Sequence, residues 1–497
     1  MATTAPTARL GSMTGARYVE SLRDGREVWL DGERVDDVTT HPAFRDFVRA
    51  LADVYDQQNA RYRDEMTYLD PESGVRTSLS WLIPHSHEDS ARKRRNSQLW
   101  NMLTWGQLGR SPDVLAPFIV NLMTRREAFG AAKHPRCDFA ENIAGYYRYC
   151  RDNDLFLTHA LGDPQVDRSQ QPQNERRAVP EDEEIALNVV EETDEGVIVS
   201  GGKQLSTAAV YSNETYVSLS QTFYARNDPR FVVAFAVPTG SPGLQILARE
   251  PVGRWFGSWG HPFNMLDEQD CMLFFQRVLV PWDRVFFLYE APARVMGSGP
   301  SGAQLNFAGW ANLERALFRF RLLTAVATLV AEAIGVIEFR EVASKLGEMV
   351  ANCEMLRLAM DGIEHSSRST AGMPGAGPTA VWMAQTTWRM TELLREICGS
   401  GIVMQPSEHD LTSALRPSLE RFMRGRDVSV EYKSRLFRVA HDLAMSSFGM
   451  RQDIYEYWHA GDPSRNRINL LRAYDQSDIT EMIKELCSKP LPHGEAL

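Results

Sequence analysis

The sequence predicts an α+β protein, mostly α, in three consecutive parts: helices, a small β-domain and a helical bundle. Three observations carry this. Apolar residues recur at helical spacing over 13–154, shift to short β-branched and aromatic runs over 155–290, and return to long helical patterns over 291–497. The expected domains are therefore a loose tail (1–12), an N-terminal helical domain (13–154), a central β-barrel or sandwich (155–290) and a C-terminal bundle (291–497).

In the first part, Phe44, Phe47, Val48, Leu51, Ala52 and Tyr55 lie on one helix face after Pro42. Segments 99–106, 114–129 and 139–151 also read as helices. The basic run 91–95 reads first as a solvated helix face, with a docking patch for an acidic partner as the sharper alternative. His85, His87 and Glu88 sit beside Pro84 without further clustered ligands, so no metal site is expected. Ser111, Pro112 and Asp113 form a helix start through N-cap, first position and first turn. Pro117 should bend that helix early. Arg110 precedes it, and a guanidinium at the positive end of a helix attracts anions.

In the second part, 185–190 and 196–200 read as strands joined by an acidic turn, followed by runs at 216–220, 231–237, 244–248 and 272–280. The aromatic, glycine-punctuated loop 254–262 suits either a wall for a flat ligand or a hydrophobic plug. In the third, 314–336 is apolar nearly all round and belongs inside a bundle. Val342, Leu346, Met349, Val350, Cys353, Leu356, Met360 and Ile363 make a second long helix, with 380–397 and 431–448 as two more. Helices this long with wide apolar faces point to a homo-oligomer.

A net charge of −11 argues against a nucleic-acid binder. Six scattered cysteines form no disulfide framework and no zinc or iron–sulfur pattern, which fits a reducing cytosol. No apolar run reaches the length of about 18 residues that a membrane span needs, and 1–12 lacks a signal-peptide core, so a cytoplasmic location is expected. There is no P-loop, HExxH or GxSxG motif. Gly297–Gly302 matches GxGxxG literally but contains Pro300 outside any βαβ pattern, so it reads as a linker.

The segments 13–28, 31–35, 39–44, Leu108–Asp113, 147–155, Thr158–Leu161, 163–168, 280–282, 448–452 and Tyr455-Glu456 resemble, in order, those of the 4-hydroxyphenylacetate 3-monooxygenase family. The resemblance spans nearly the whole chain. It implies an acyl-CoA-dehydrogenase-like fold, usually a tetramer, and the oxygenase component of a two-component flavin-dependent monooxygenase. Such an enzyme takes FADH2 from a separate NAD(P)H-dependent flavin reductase, which agrees with the missing dinucleotide motif. Through a flavin C4a-hydroperoxide formed with O2 it hydroxylates a phenol ortho to its hydroxyl, giving a catechol.

By the same resemblance Arg110 and His159 are catalytic, substrate-pocket residues. Arginine stabilises a phenolate but cannot act as a base, whereas histidine exchanges protons near neutral pH. The family pattern is commonly Arg-Ser-Pro-Asp-Tyr, and this chain has Val114 at the tyrosine's place. The pocket thereby becomes wider and more apolar. That shifts the expected substrate from 4-hydroxyphenylacetate to a larger phenol, a tyrosine or β-tyrosine derivative of secondary metabolism, tethered to a peptidyl carrier protein in one version. The alternatives are 4-hydroxyphenylacetate or chlorophenol monooxygenation in aromatic catabolism, and a non-catalytic flavin-binding scaffold. For the flavin, the resemblance points to Thr207 beside the isoalloxazine, to Gly399, Ser400 and Gly401 at the pyrophosphate, and to Arg451 and Gln452 at the dinucleotide tail; packing or a helix C-cap is the competing explanation for each.

Overall fold

A computed structural model of the chain describes residues 10–130, 134–166, 184–219, 228–252, 259–290, 307–366, 376–459 and 461–488. The linker 297–302 and residues 254–258 of the aromatic loop lie outside these.

Helices dominate both ends of the chain and two sheets lie between them. The six-stranded sheet runs in the order Glu33–Val35, Glu27–Leu30, Leu244–Ala248, Cys271–Pro281, Gly196–Lys203, Asn188–Glu192. The four-stranded sheet runs Val285–Leu288, Val233–Pro238, Glu214–Val217, Leu157–Ala160. Residues 27–35, grouped by sequence with the helices, instead form a hairpin whose first strand pairs in parallel with Leu244–Ala248. The hairpin buries Val28, Leu30 and Val35, so alternation on strands of four and three residues, too short to register as a period, decides its place.

One apolar core joins the N-terminal helices to both sheets, and a second fills the bundle of Phe307–Ala333, Arg340–Ser366, Ala376–Cys398 and Val430–Ala444. The segment expected as one helix over 431–448 breaks after Ala444, and Ser446 caps the next helix, Ser447–Trp458, by accepting from the Gly449 N–H.

The basic run 91–95 is a solvated face only in part, with Arg95 exposed and Lys93 and Arg94 turned to other elements. It lies on the helix His87–Leu103, where Lys93 is buried and donates to the carbonyls of Leu79, Ser80 and Leu82. Arg94 pairs with Glu314, Asp361 and Glu364 of the bundle. The run ties the first part of the chain to the last, because a long cationic stem can reach carbonyls and carboxylates beneath an apolar surface. Ser86 caps this helix by accepting the Asp89 N–H, and the described residues hold no cluster of three metal-ligating side chains. No helix among them is long and apolar enough to cross a membrane.

Candidate active site

The helix Pro112–Thr124 starts where the sequence places it, with Pro117 inside it. Its cap differs from expectation. The Ser111 side chain makes no capping bond, and Asp113 turns inward to accept from Ser80 Oγ (3.1 Å) and Asn96 Nδ2 (2.6 Å). Buried polar bonds of this kind fix the first turn against the helix behind it. Arg110 just before it is thereby held at a defined place.

A buried carboxylate holds the Arg110 backbone. Glu268 accepts the Gly109 N–H (3.1 Å) and the Arg110 N–H (2.8 Å), and its Oε1 also accepts from Arg451 Nη1 (2.7 Å). Glu268 is therefore fully engaged. Among the described residues the Arg110 side chain has no hydrogen-bond or ion-pair partner, and its enclosed Nε is without one. It lies over the Tyr455 ring, 5.3 Å from the centroid.

His159 lies on the strand Leu157–Ala160, paired with Tyr216 in register. Strand alternation sends Thr158 one way, where it donates to the Thr207 carbonyl (2.7 Å), and His159 the other, toward Phe118 (ring centroids 6.1 Å). Burial, reinforced by the positive charge of Arg110, pushes His159 down to about 3, so it is neutral at physiological pH. Its Nδ1 is enclosed and has no partner. Phe118 stands one helical turn beyond Val114, which is 4% exposed, so the two share the helix face that looks toward His159.

Thr207 joins the same network. Its hydroxyl donates to Asp270 (2.8 Å), and Asp270 receives a two-pronged contact from Arg451 (2.9 and 2.6 Å) and one from Arg249 (3.1 Å). Burial raises the Asp270 carboxyl, but these cations outweigh it and hold the group well below the usual carboxylate range. Leu205 and Ala208 flank Thr207 with φ of 59° and 65°, a left-handed conformation that costs energy for residues with a Cβ and recurs at functional sites. Between them the buried Ser206 hydroxyl has no partner. Gln452 donates to the Gln107 carbonyl (2.8 Å). Arg451 and Gln452 thus face inward onto the loop that carries Arg110. Neither is turned toward open space, because the nearest acceptors are the Glu268 and Asp270 carboxylates and a backbone carbonyl.

The structure brings Arg110, Val114, His159, Thr207, Arg451 and Gln452 into one connected region and leaves Gly399, Ser400 and Gly401 outside it. Those three form a short turn after the helix Ala376–Cys398 and line a separate cavity of about 500 Å³ with Lys433, Phe339 and Phe422. Gly399 has φ 56°, the left-handed residue that ends helices. Sequence reasoning missed Glu268, Asp270, Tyr455 and His459. Only Tyr455 lay in a segment that could have flagged it, since charged and aromatic residues on distant helices converge only after folding. The arrangement sets a cation and a neutral imidazole beside the apolar face of Val114 and Phe118, groups whose chemistry can hold an oxyanion next to an aromatic ring.

A cation beside a neutral imidazole in a helix–sheet–helix frame is what the geometry supplies, and comparison with known proteins defines the family. The family model described as 4-hydroxyphenylacetate 3-hydroxylase N terminal matches residues 14–287, and its C-terminal counterpart matches 303–488. The oxygenase component of 4-hydroxyphenylacetate 3-monooxygenase from Thermus thermophilus is 34% identical over 96% of this chain and 98% of its own. A Streptomyces globisporus relative, a (3S)-3-amino-3-(3-chloro-4-hydroxyphenyl)propanoyl-[peptidyl-carrier protein] monooxygenase, is 28% identical over 92% of this chain and 87% of its own. The crystal structure of a 4-hydroxyphenylacetate 3-monooxygenase oxygenase component complexed with FAD and 4-hydroxyphenylacetate superposes with a TM-score of 0.87 at 33% identity, over 96% of this chain and 98% of that one.

The chain belongs to the 4-hydroxyphenylacetate 3-hydroxylase family. It is the oxygenase component of a two-component, flavin-dependent aromatic monooxygenase that uses FAD and O2 and depends on a separate reductase.

Proposed function

We propose that this oxygenase hydroxylates a tyrosine- or β-tyrosine-derived phenol larger than 4-hydroxyphenylacetate, and that Arg110 and His159 act on the phenol oxygen. The observation that carries the reading is the Arg110 guanidinium, which among the described residues has no carboxylate or hydrogen-bond partner and stands beside an imidazole held neutral. A free phenol has a pKa of roughly 10, so ionising it near neutrality takes about 3–4 kcal/mol of differential stabilisation. A unit charge at ~4 Å in an effective dielectric of ~20 supplies about that much. His159, held neutral, hydrogen-bonds the phenol oxygen at Nε2, since Nδ1 is enclosed, and Arg110 stabilises the oxyanion left when the proton departs to solvent. The negative charge raises electron density at the ortho carbon, where the new C–O bond forms.

Reduced FAD together with O2 supplies the oxygen atom. The strained 205–208 turn and the unpartnered Ser206 hydroxyl support a polar ring edge next to Thr207. Arg451 and Gln452 serve the flavin side through Asp270 and Thr207, and not as direct ligands of its tail. The Gly399–Gly401 turn, lining a cavity with Lys433, suits a phosphate.

Val114 supports the larger phenol, since a small apolar side chain stands where the family commonly has tyrosine. The carrier-linked relative from Streptomyces supports a version in which the substrate is tethered to a peptidyl carrier protein. Exposed Leu329, Val350, Met355 and Leu358 on the long bundle helices support a homotetramer.

The test supplies NADH, a flavin reductase and a panel of phenols, free and carrier-bound, and reads catechol by mass spectrometry. The expected result is faster turnover of tyrosyl or β-tyrosyl derivatives than of 4-hydroxyphenylacetate. The reverse order overturns the substrate assignment, and absence of product from any phenol favours a flavin-binding scaffold.

A further inference from the structure

Three guanidinium groups crowd the Tyr455 ring: Arg451 at 4.8 Å from the centroid, and Arg110 and Arg315 at 5.3 Å each. Two of the three are neutralised. Arg315 pairs with Glu456, and Arg451 with Glu268 and Asp270. Among the described residues the Arg110 guanidinium pairs with no carboxylate, Glu268 being taken up by the loop N–H groups and Arg451, and the ring is its contact.

We infer that Tyr455 is the positioning residue that presents Arg110 to the phenol as an uncompensated cation, an inference that rests on the phenolate-anchor reading above. An aromatic face attracts a guanidinium without neutralising it. A carboxylate in the same place would hold Arg110 more tightly but would compete with the incoming phenolate for its charge.

The ring itself is immobilised. It stacks on His459 at 5.4 Å and 12°. His459 Nδ1 lies 3.0 Å from the Glu456 carbonyl, which can only accept, so this nitrogen carries the hydrogen. Burial pushes His459 down to about 4, with Arg315 and Arg110 lowering it further against Glu456, so no fourth cation stands behind the ring. Gly109 lies so close that a Cβ there would collide with the ring. The Tyr455 hydroxyl is buried with no hydrogen-bond partner. The ring face therefore carries the function, and the hydroxyl does not.

The experiment binds 4-nitrophenol, whose phenolate is coloured, to the full-length protein across pH and reads the pKa of the bound phenol. Wild type should lower it, and Arg110→Met should abolish that shift. Tyr455→Leu should lose roughly tenfold in phenolate-over-phenol preference, the scale of a desolvated cation–π contact. Tyr455→Phe should recover the wild-type shift. A fluorinated phenylalanine series at 455, which weakens the negative ring face at nearly constant shape, should lower the preference stepwise even if Tyr455→Leu fails to fold.

A preference that stays constant along the fluorinated series, or a Tyr455→Phe loss equal to that of Leu, overturns the ring's role while leaving the phenolate reading intact. If wild type produces no shift, or Arg110→Met retains it, the phenolate reading falls and the inference falls with it.

Discussion

Glu268→Gln is the sharpest probe of how this site is held together. Glu268 is 1% exposed and accepts three donors: two backbone N–H groups of the Arg110 loop and one N–H of Arg451. Glutamine keeps the shape but replaces one acceptor oxygen by an NH2 donor. Either amide orientation sets donor against donor, facing the Arg110 N–H in one flip and both the Gly109 N–H and Arg451 in the other. Losing a charge-assisted bond costs about 1.5–3 kcal/mol, and leaving a buried donor unsatisfied costs about 1–3 kcal/mol. Asp270 still balances Arg451 through two contacts, so the total stays below the ~3–5 kcal/mol of a fully broken buried pair. The expected loss is about 3 kcal/mol, measured as a shift in urea midpoint at unchanged slope. Because the same bonds hold the Arg110 backbone, kcat/KM for the phenol should fall at least about tenfold, the scale of a slightly misplaced charge. A stability change under ~1 kcal/mol with unaltered kcat/KM would falsify the claim that Glu268 holds the loop.

Three further outcomes follow from the same geometry. Val114→Tyr, at a buried position on the pocket side of the helix, should raise kcat/KM for 4-hydroxyphenylacetate and lower it for bulkier phenols, and a parallel change in both would show that the residue does not set pocket width. Gly109→Ala should cost about 1–3 kcal/mol by overpacking against Tyr455, with a thermal melt showing partial recovery in the Gly109→Ala/Tyr455→Leu double variant. His159 and His459 titrate near 6.5 when unfolded but at about 3 and about 4 when folded, so the unfolded chain binds more protons between those values. Stability is then fully present above ~6.5 and drops as pH falls toward 4, by about 1.4 kcal/mol per pH unit for each histidine. The His159→Gln and His459→Gln variants should each show a shallower acid loss in urea titrations, and unchanged slopes would mean these histidines are not buried neutral.

Helical periodicity, the Ser-Pro-Asp helix start and the change to β-branched runs were legible in the chain because they are local, written at spacings that the backbone geometry itself sets. From them came the helix–sheet–helix order, and the ordered motifs added the family and the pair Arg110 and His159. The four-residue strand Glu27–Leu30 was not legible, since its partner Leu244–Ala248 lies more than two hundred residues away. Nor was the burial of Lys93 and Arg94, whose carbonyl and carboxylate partners come from other elements.

The sequence by itself determined which residue types stand at the helix start, and therefore that a cation precedes Pro112. Only the tertiary structure decided that this cation would be unpaired. Folding brings Arg451 to the nearby carboxylates, saturates Glu268 with two backbone donors and Arg451, and among the described residues leaves Arg110 the face of Tyr455. Charge at a site is a sum over everything packed around it, and that sum does not exist until distant segments meet.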